Sequence, residues 1–76
     1  MVTLTALRPG EAATIAALNF DEALSARLAA LGFRVGKRIA IIRRARFTGP
    51  LHVRIGSTDI MLRGKEANQI EVEQLL

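Results

Sequence analysis

Apolar and polar positions alternate along most of this chain, and the period changes once. Leu51, Val53 and Ile55 are separated by His52 and Arg54, and Ile60 and Leu62 alternate with Asp59, Met61 and Arg63. A period of two sends successive side chains to opposite faces, so both runs predict half-buried strands. Gly56-Ser57-Thr58 between them is a hairpin signal. Near the end, Ile70 and Val72 point one way while Glu71 and Glu73 point the other, which predicts a final strand. Glu11 to Leu18 alternates more weakly around Ala13, Ile15 and Ala17. Lys37 to Arg46 is rich in β-branched residues. There Ile39 and Ile41 share a face, and strict alternation would add Arg43 to it. Either a bulge shifts the register or the strand leaves the core near Ile42.

The exception is Asp21 to Leu31, where Leu24, Leu28 and Leu31 fall at i, i+4 and i+7 and line one helical face. Asp21 suits the N-cap, and Glu22 places negative charge at the positive end of the helix dipole. Gly32 is positioned as the left-handed residue after the helix. Phe33 would then reach back to Leu28, the contact of a Schellman stop. Turns are expected at Arg8-Pro9-Gly10, at Phe33 to Lys37 with Gly36 at positive φ, at the loop tip Phe47-Thr48-Gly49-Pro50, and around Gly64 to Asn68.

Five to six short strands, with one helix inserted after the first long strand, predict a mostly β fold bent into a small barrel. Closure would remove the exposed strand edges. The expected core is Leu51, Val53, Ile55, Ile60, Leu62, Ile70 and Val72, closed at one end by Leu24, Leu28 and Leu31. With 76 residues, no repeat and no linker, residues 1–76 are expected to form one domain.

Composition narrows the function. There is no cysteine, so neither a disulfide nor a thiolate is available, which fits a reducing cytosol. The longest uncharged stretch, Ala12 to Phe20, falls far short of the roughly 20 residues a spanning helix needs. Residues 1–10 carry no basic segment followed by an apolar run. A cytoplasmic protein without direct membrane insertion is expected.

Candidate chemistry is sparse. His52 is the sole histidine and sits at an outward strand position. Zinc sites draw on Cys and His, and ferrous sites on two His and a carboxylate, so the inventory gives no metal set. Ser25 and Ser57 lie in unremarkable contexts for a nucleophile, and Gly32 and Gly36 precede no helix that could bind phosphate. No catalytic, cofactor-binding or metal-ligating residues are assigned. Glu71 and Glu73 read as a solvated face.

Charge brings a partner into view. Eleven Lys and Arg against seven Asp and Glu give +4, which favours an acidic protein, nucleic acid or a membrane surface. The run Arg43-Arg44-Ala45-Arg46-Phe47 is the densest basic feature. With no Tyr or Trp and only three Phe, an aromatic platform for bases is not expected, so nucleic acid ranks below protein. Phe47 at a loop tip and Met61 on the outer face of its strand are the apolar candidates for contact. Arg44, Arg46 and Arg54 would surround them. The competing reading has Phe47 capping the barrel, Met61 covering the helix and the arginines guarding a strand edge.

Four pieces, in order, resemble one family. Arg27-Leu28-Ala29-Ala30-Leu31-Gly32-Phe33 with Gly36 is similar to the helix and turn of the FeoA family. Leu4-x-x-Leu7-x-x-Gly10 with Ile15 is similar to its opening. Gly49-Pro50-Leu51 with Val53 resembles its central loop and strand. Ile60-x-Leu62-Arg63 followed by Glu66-Ala67-x-x-Ile70-x-Val72 resembles its close. The resemblance implies an SH3-like barrel. It also implies a non-catalytic accessory role in ferrous iron uptake, binding and modulating the cytoplasmic GTP-binding part of the membrane transporter FeoB. The same domain occurs fused to metal-dependent repressors, so the alternative is a nucleic-acid-binding or repressor-associated module.

Overall fold

The computed structural model describes residues 2–45 and 49–74. The chain runs through β1 (Val2–Thr3), a 3-10 turn (Leu4–Ala6), β2 (Ala12–Leu18), α1 (Glu22–Ala30) and β3 (Arg38–Arg44). It continues through β4 (Leu51–Ile55), β5 (Thr58–Leu62), a one-turn helix α2 (Gly64–Ala67) and β6 (Ile70–Gln74). The strands form one sheet in the order β1-β6-β2-β3-β4-β5, and every neighbouring pair is antiparallel.

The expected fold class is present: mostly β, six strands, and the helix inserted after the first long strand. The barrel does not close. β1 and β5 are the two edges of the sheet and do not pair with each other. The sheet is coiled instead, since overall extents of 28 × 27 × 25 Å leave no thin dimension for a flat six-stranded layer. Twist and two register shifts produce that coiling. One shift falls between Ile15 and Ala17 on β2, the other between Ile41 and Arg43 on β3.

The core lies inside the coil. It draws Leu4 and Leu7 from the opening segment, Ala13 and Ile15 from β2, and Ile39 and Ile41 from β3. Leu51, Val53 and Ile55 come from β4, Leu62 from β5, and Ile70 and Val72 from β6, all buried. Ile60 is only partly buried against this cluster. Alternation thus predicted the inward face of β4, β5 and β6 almost residue by residue.

The helix starts and stops as its residues dictate. Asp21 Oδ1 accepts from the Leu24 N–H at 2.8 Å, satisfying a donor that the helix itself cannot. At the other end, the Phe33 N–H donates to the Leu28 carbonyl and the Gly32 N–H to the Ala29 carbonyl, both at 3.0 Å. These are the two bonds of a Schellman motif. Gly32 holds φ at 104°, where a side chain would be strained. Phe33 and Leu28 are both buried in the core. Leu31 is not: it is 45% exposed, so it does not close the end of the core with Leu24 and Leu28. As the C-cap residue, with φ −93° and ψ 0°, it has already left the helical path, and Phe33 is the buried residue that follows the stop.

Candidate interaction surface

The β4–β5 hairpin presents four side chains outward. A two-residue turn, Gly56-Ser57, pairs Ile55 with Thr58, Arg54 with Asp59, Val53 with Ile60 and His52 with Met61. Gly56 takes φ of 61°, the left-handed conformation such tight hairpins require. Since cross-strand partners share a face, His52, Arg54, Asp59 and Met61 lie together on the outside.

Three of them form a polar cluster. Arg54 Nε and Nη2 donate to Asp59 Oδ1 and Oδ2 at 2.6 and 3.0 Å. His52 Nε2 lies 2.8 Å from Asp59 Oδ2. The Arg54 hydrogen bonds, then the His52 hydrogen bond, hold the Asp59 carboxyl well below its ordinary range. The same pairing holds Arg54 more firmly protonated than usual. Both side chains remain open to water, so the pair orders the hairpin face more than it stabilises the fold.

Met61 is the apolar part of this face, 61% exposed. With Pro50 it lies between two shallow depressions. One, of about 450 Å³, is lined by Pro50, Met61, Leu62, Arg63 and Gly64. The other, of about 250 Å³, also takes in Arg43, Arg44, Ala45 and His52.

The bulge on β3 decides where the arginine run goes. Ile41 pairs with Val53, the next pair is Arg43 with His52, and Arg44 then faces Leu51. Arg43 therefore points outward and Arg44 inward, towards the end of the core. Arg44 Nη1 donates to the carbonyls of Thr5 and Leu7 at 3.0 and 2.9 Å. Of the five residues expected to form a contact surface, Arg54 and Met61 share the hairpin face. Arg44 adjoins it but is half-buried and already engaged. Arg46 and Phe47 lie outside the described residues. Sequence reasoning passed over Asp59, which organises the face. A two-residue reading of Gly56-Ser57 would have placed it opposite Arg54.

Glu71 accepts from Asn19 Nδ2 at 2.7 Å, which gives it a structural partner. Among the described residues, no three His, Cys, Asp or Glu side chains gather where they could hold a metal ion. No helix among them is long and apolar enough to cross a membrane.

A coiled antiparallel sheet with α1 inserted after its first long strand and an exposed hairpin face is the architecture of a small SH3-like domain. A solved relative shows the likeness: the zinc-complexed FeoA of Stenotrophomonas maltophilia, described as a prokaryotic SH3 domain protein. It superposes with a TM-score of 0.82 at 27% identity, over 96% of this chain and 91% of that one.

The chain belongs to the FeoA family, the FeoA domain matching residues 2–74. The solution structure of iron(II) transport protein A from Clostridium thermocellum is 36% identical, with a TM-score of 0.89 over 97% of this chain. This chain spans 46% of that protein's length. A manganese-dependent transcriptional repressor is 28% identical, with a TM-score of 0.85 over 96% of this chain and 41% of its own. A search of curated protein sequences gives no match.

Proposed function

We propose that residues 1–76 act as one non-catalytic, cytoplasmic accessory domain of ferrous iron uptake. In this reading the domain binds and modulates the cytoplasmic GTP-binding part of a FeoB-type transporter. Contact runs through the outer face of the β4–β5 hairpin, with Met61 and Arg54 at its centre and Arg44 adjoining it; Arg46 and Phe47 are the further contact residues expected from the sequence. The observation that carries the reading is Met61, a large apolar side chain left 61% exposed on the tight hairpin of a FeoA-family domain. Apolar patches rimmed by charge mark docking surfaces, and here Met61 adjoins Pro50 beside Arg43 and His52. The Stenotrophomonas protein's description as a candidate ferrous iron transport activating factor points the same way. The test is a pull-down of the purified transporter domain with this chain, paired with its GTP hydrolysis rate with and without the chain. No capture at tens of micromolar, together with an unchanged rate, would sink the proposal.

The likeness to the manganese-dependent repressor supports a second reading, a module that works beside DNA. Titration with duplex DNA at two salt concentrations separates the two. Phosphate contacts give an affinity that falls steeply as salt rises, and protein docking on this face gives no DNA binding at either concentration.

A further inference from the structure

On the side of the molecule where the 3-10 turn meets α2, a cavity of about 380 Å³ is lined by Thr5, Arg44, Gly49, Leu51, Gly64, Lys65 and Asn68. Among the described residues it contains two cationic side chains and no carboxylate. We propose that it is an oxyanion site, taking a phosphate or the carboxylate of an acidic side chain.

Arg44 supplies the fixed part of the site. Its Nη1 is tied to the Thr5 and Leu7 carbonyls, which immobilises the guanidinium before any ligand arrives. Nε and Nη2 have no hydrogen-bond partner among the described residues. A guanidinium held this way loses little freedom on binding and offers paired donors suited to a planar or tetrahedral oxyanion. Lys65 supplies the second charge from α2 and forms no ion pair among the described residues. It also lines the neighbouring cavity beside Asp21 and Glu66. There Glu66 is already engaged, its Oε1 accepting from the Arg63 N–H at 2.9 Å. Asn68 completes the donor set. Its Oδ1 takes a long, 3.4 Å bond from the Thr5 hydroxyl, which leaves the Nδ2 hydrogens for a ligand. Two positive charges in a concavity whose described lining holds no acid focus a potential that favours anions.

The site shares Arg44 with the proposed docking surface but does not rest on it, and it would stand if the hairpin face bound nothing.

The experiment is an amide NMR titration of the full chain at fixed ionic strength. One arm uses inorganic phosphate and the other the blocked amino acid N-acetyl-aspartate methylamide. Saturable shifts at Thr5, Gly49, Leu51, Gly64, Lys65 and Asn68 in either arm support the site, and the arm that saturates names the source of the oxyanion. Lys65→Gln should weaken that binding by roughly fivefold or more while Lys65→Arg restores it, as for loss and return of a charge-assisted contact. Lys65 is exposed, so both variants should keep the wild-type melting temperature. Shifts that stay linear in both arms, that map instead around Arg34 and Arg38, or that are the same in Lys65→Gln would overturn the proposal.

Discussion

The guanidinium of Arg44 donates to the Leu7 carbonyl at 2.9 Å, joining residues 37 positions apart. The register shift on β3 makes this possible, because without it Arg44 would face outward. Through the same Nη1 it also holds the Thr5 carbonyl, so one side chain fastens the opening segment across the end of the core. Leu4 and Leu7 are fully buried beneath that clasp.

Arg44→Ala should therefore lower stability by about 1–3 kcal/mol, the usual range for leaving half-buried polar groups without partners. Arg43→Ala, one residue away but exposed, should stay within about 0.5 kcal/mol of wild type. Urea denaturation of both variants checks this. Equal midpoints for the two would mean that the clasp contributes nothing.

Core truncations follow from burial. Val53 is fully buried and Leu62 is 1% exposed, so Val53→Ala or Leu62→Ala should each cost about 2–4 kcal/mol. Leu31→Ala should be close to neutral despite its helical spacing from Leu28, because its side chain is 45% exposed. Chemical denaturation of the three variants tests both halves of the claim. A Leu31 variant as damaged as Leu62 would place Leu31 in the core after all.

The contrast between Leu28 and Leu31 shows where pattern stops being informative. Periodicity places a side chain only while the helix lasts, and Gly32 ends it. Gly32 and Phe33 were themselves legible, so the stop could be read although its consequence for Leu31 was missed. Alternation resolved β4, β5 and β6 because one face of each is buried and the other wet. It left β3 with two possible paths, and the bulge between Ile41 and Arg43 is the one taken. The two-residue β1 and the 3-10 turn at Leu4–Ala6 are too short to carry any period. The candidate surface was legible in part. Met61 and Arg54 stand out from alternation alone, whereas the inward turn of Arg44 depends on a register that only the folded sheet supplies.

The Arg54–Asp59 pair carries a pH dependence of defined sign. The Asp59 carboxyl is held below its ordinary value of 3.8 in the folded protein, first by hydrogen bonds from Arg54 and then by His52. A depressed carboxyl contributes stability that is present above its unfolded value and fades as pH falls below it. Melting temperatures recorded downward from pH 7 should drop less steeply below about pH 4 for Asp59→Asn than for wild type. The pair is open to water, so added salt should shrink the difference. Parallel acid limbs for the two proteins would show that the pairing is not maintained in solution.

Met61 gives the sharpest test of the proposed docking face, because folding and binding make opposite demands on it. Its neighbours on the strand, Ile60 and Leu62, face the core, while Met61 projects beside Pro50 and His52. A side chain this exposed adds little to the folded state, so Met61→Ser should shift the melting temperature by no more than about 2 °C, as for other surface changes in a domain of this size. If the hairpin face docks on the transporter's GTP-binding domain, the same substitution removes an apolar anchor and should weaken capture about tenfold. Adding Arg54→Glu reverses a charge on the rim and should slow association most at low salt. The reading that Met61 merely shields the fold makes the reverse demand, a lowered melting temperature with capture unchanged. Melting and capture measured on the same purified variants separate the two, and a folded double variant that still binds as wild type would remove this face as the docking surface.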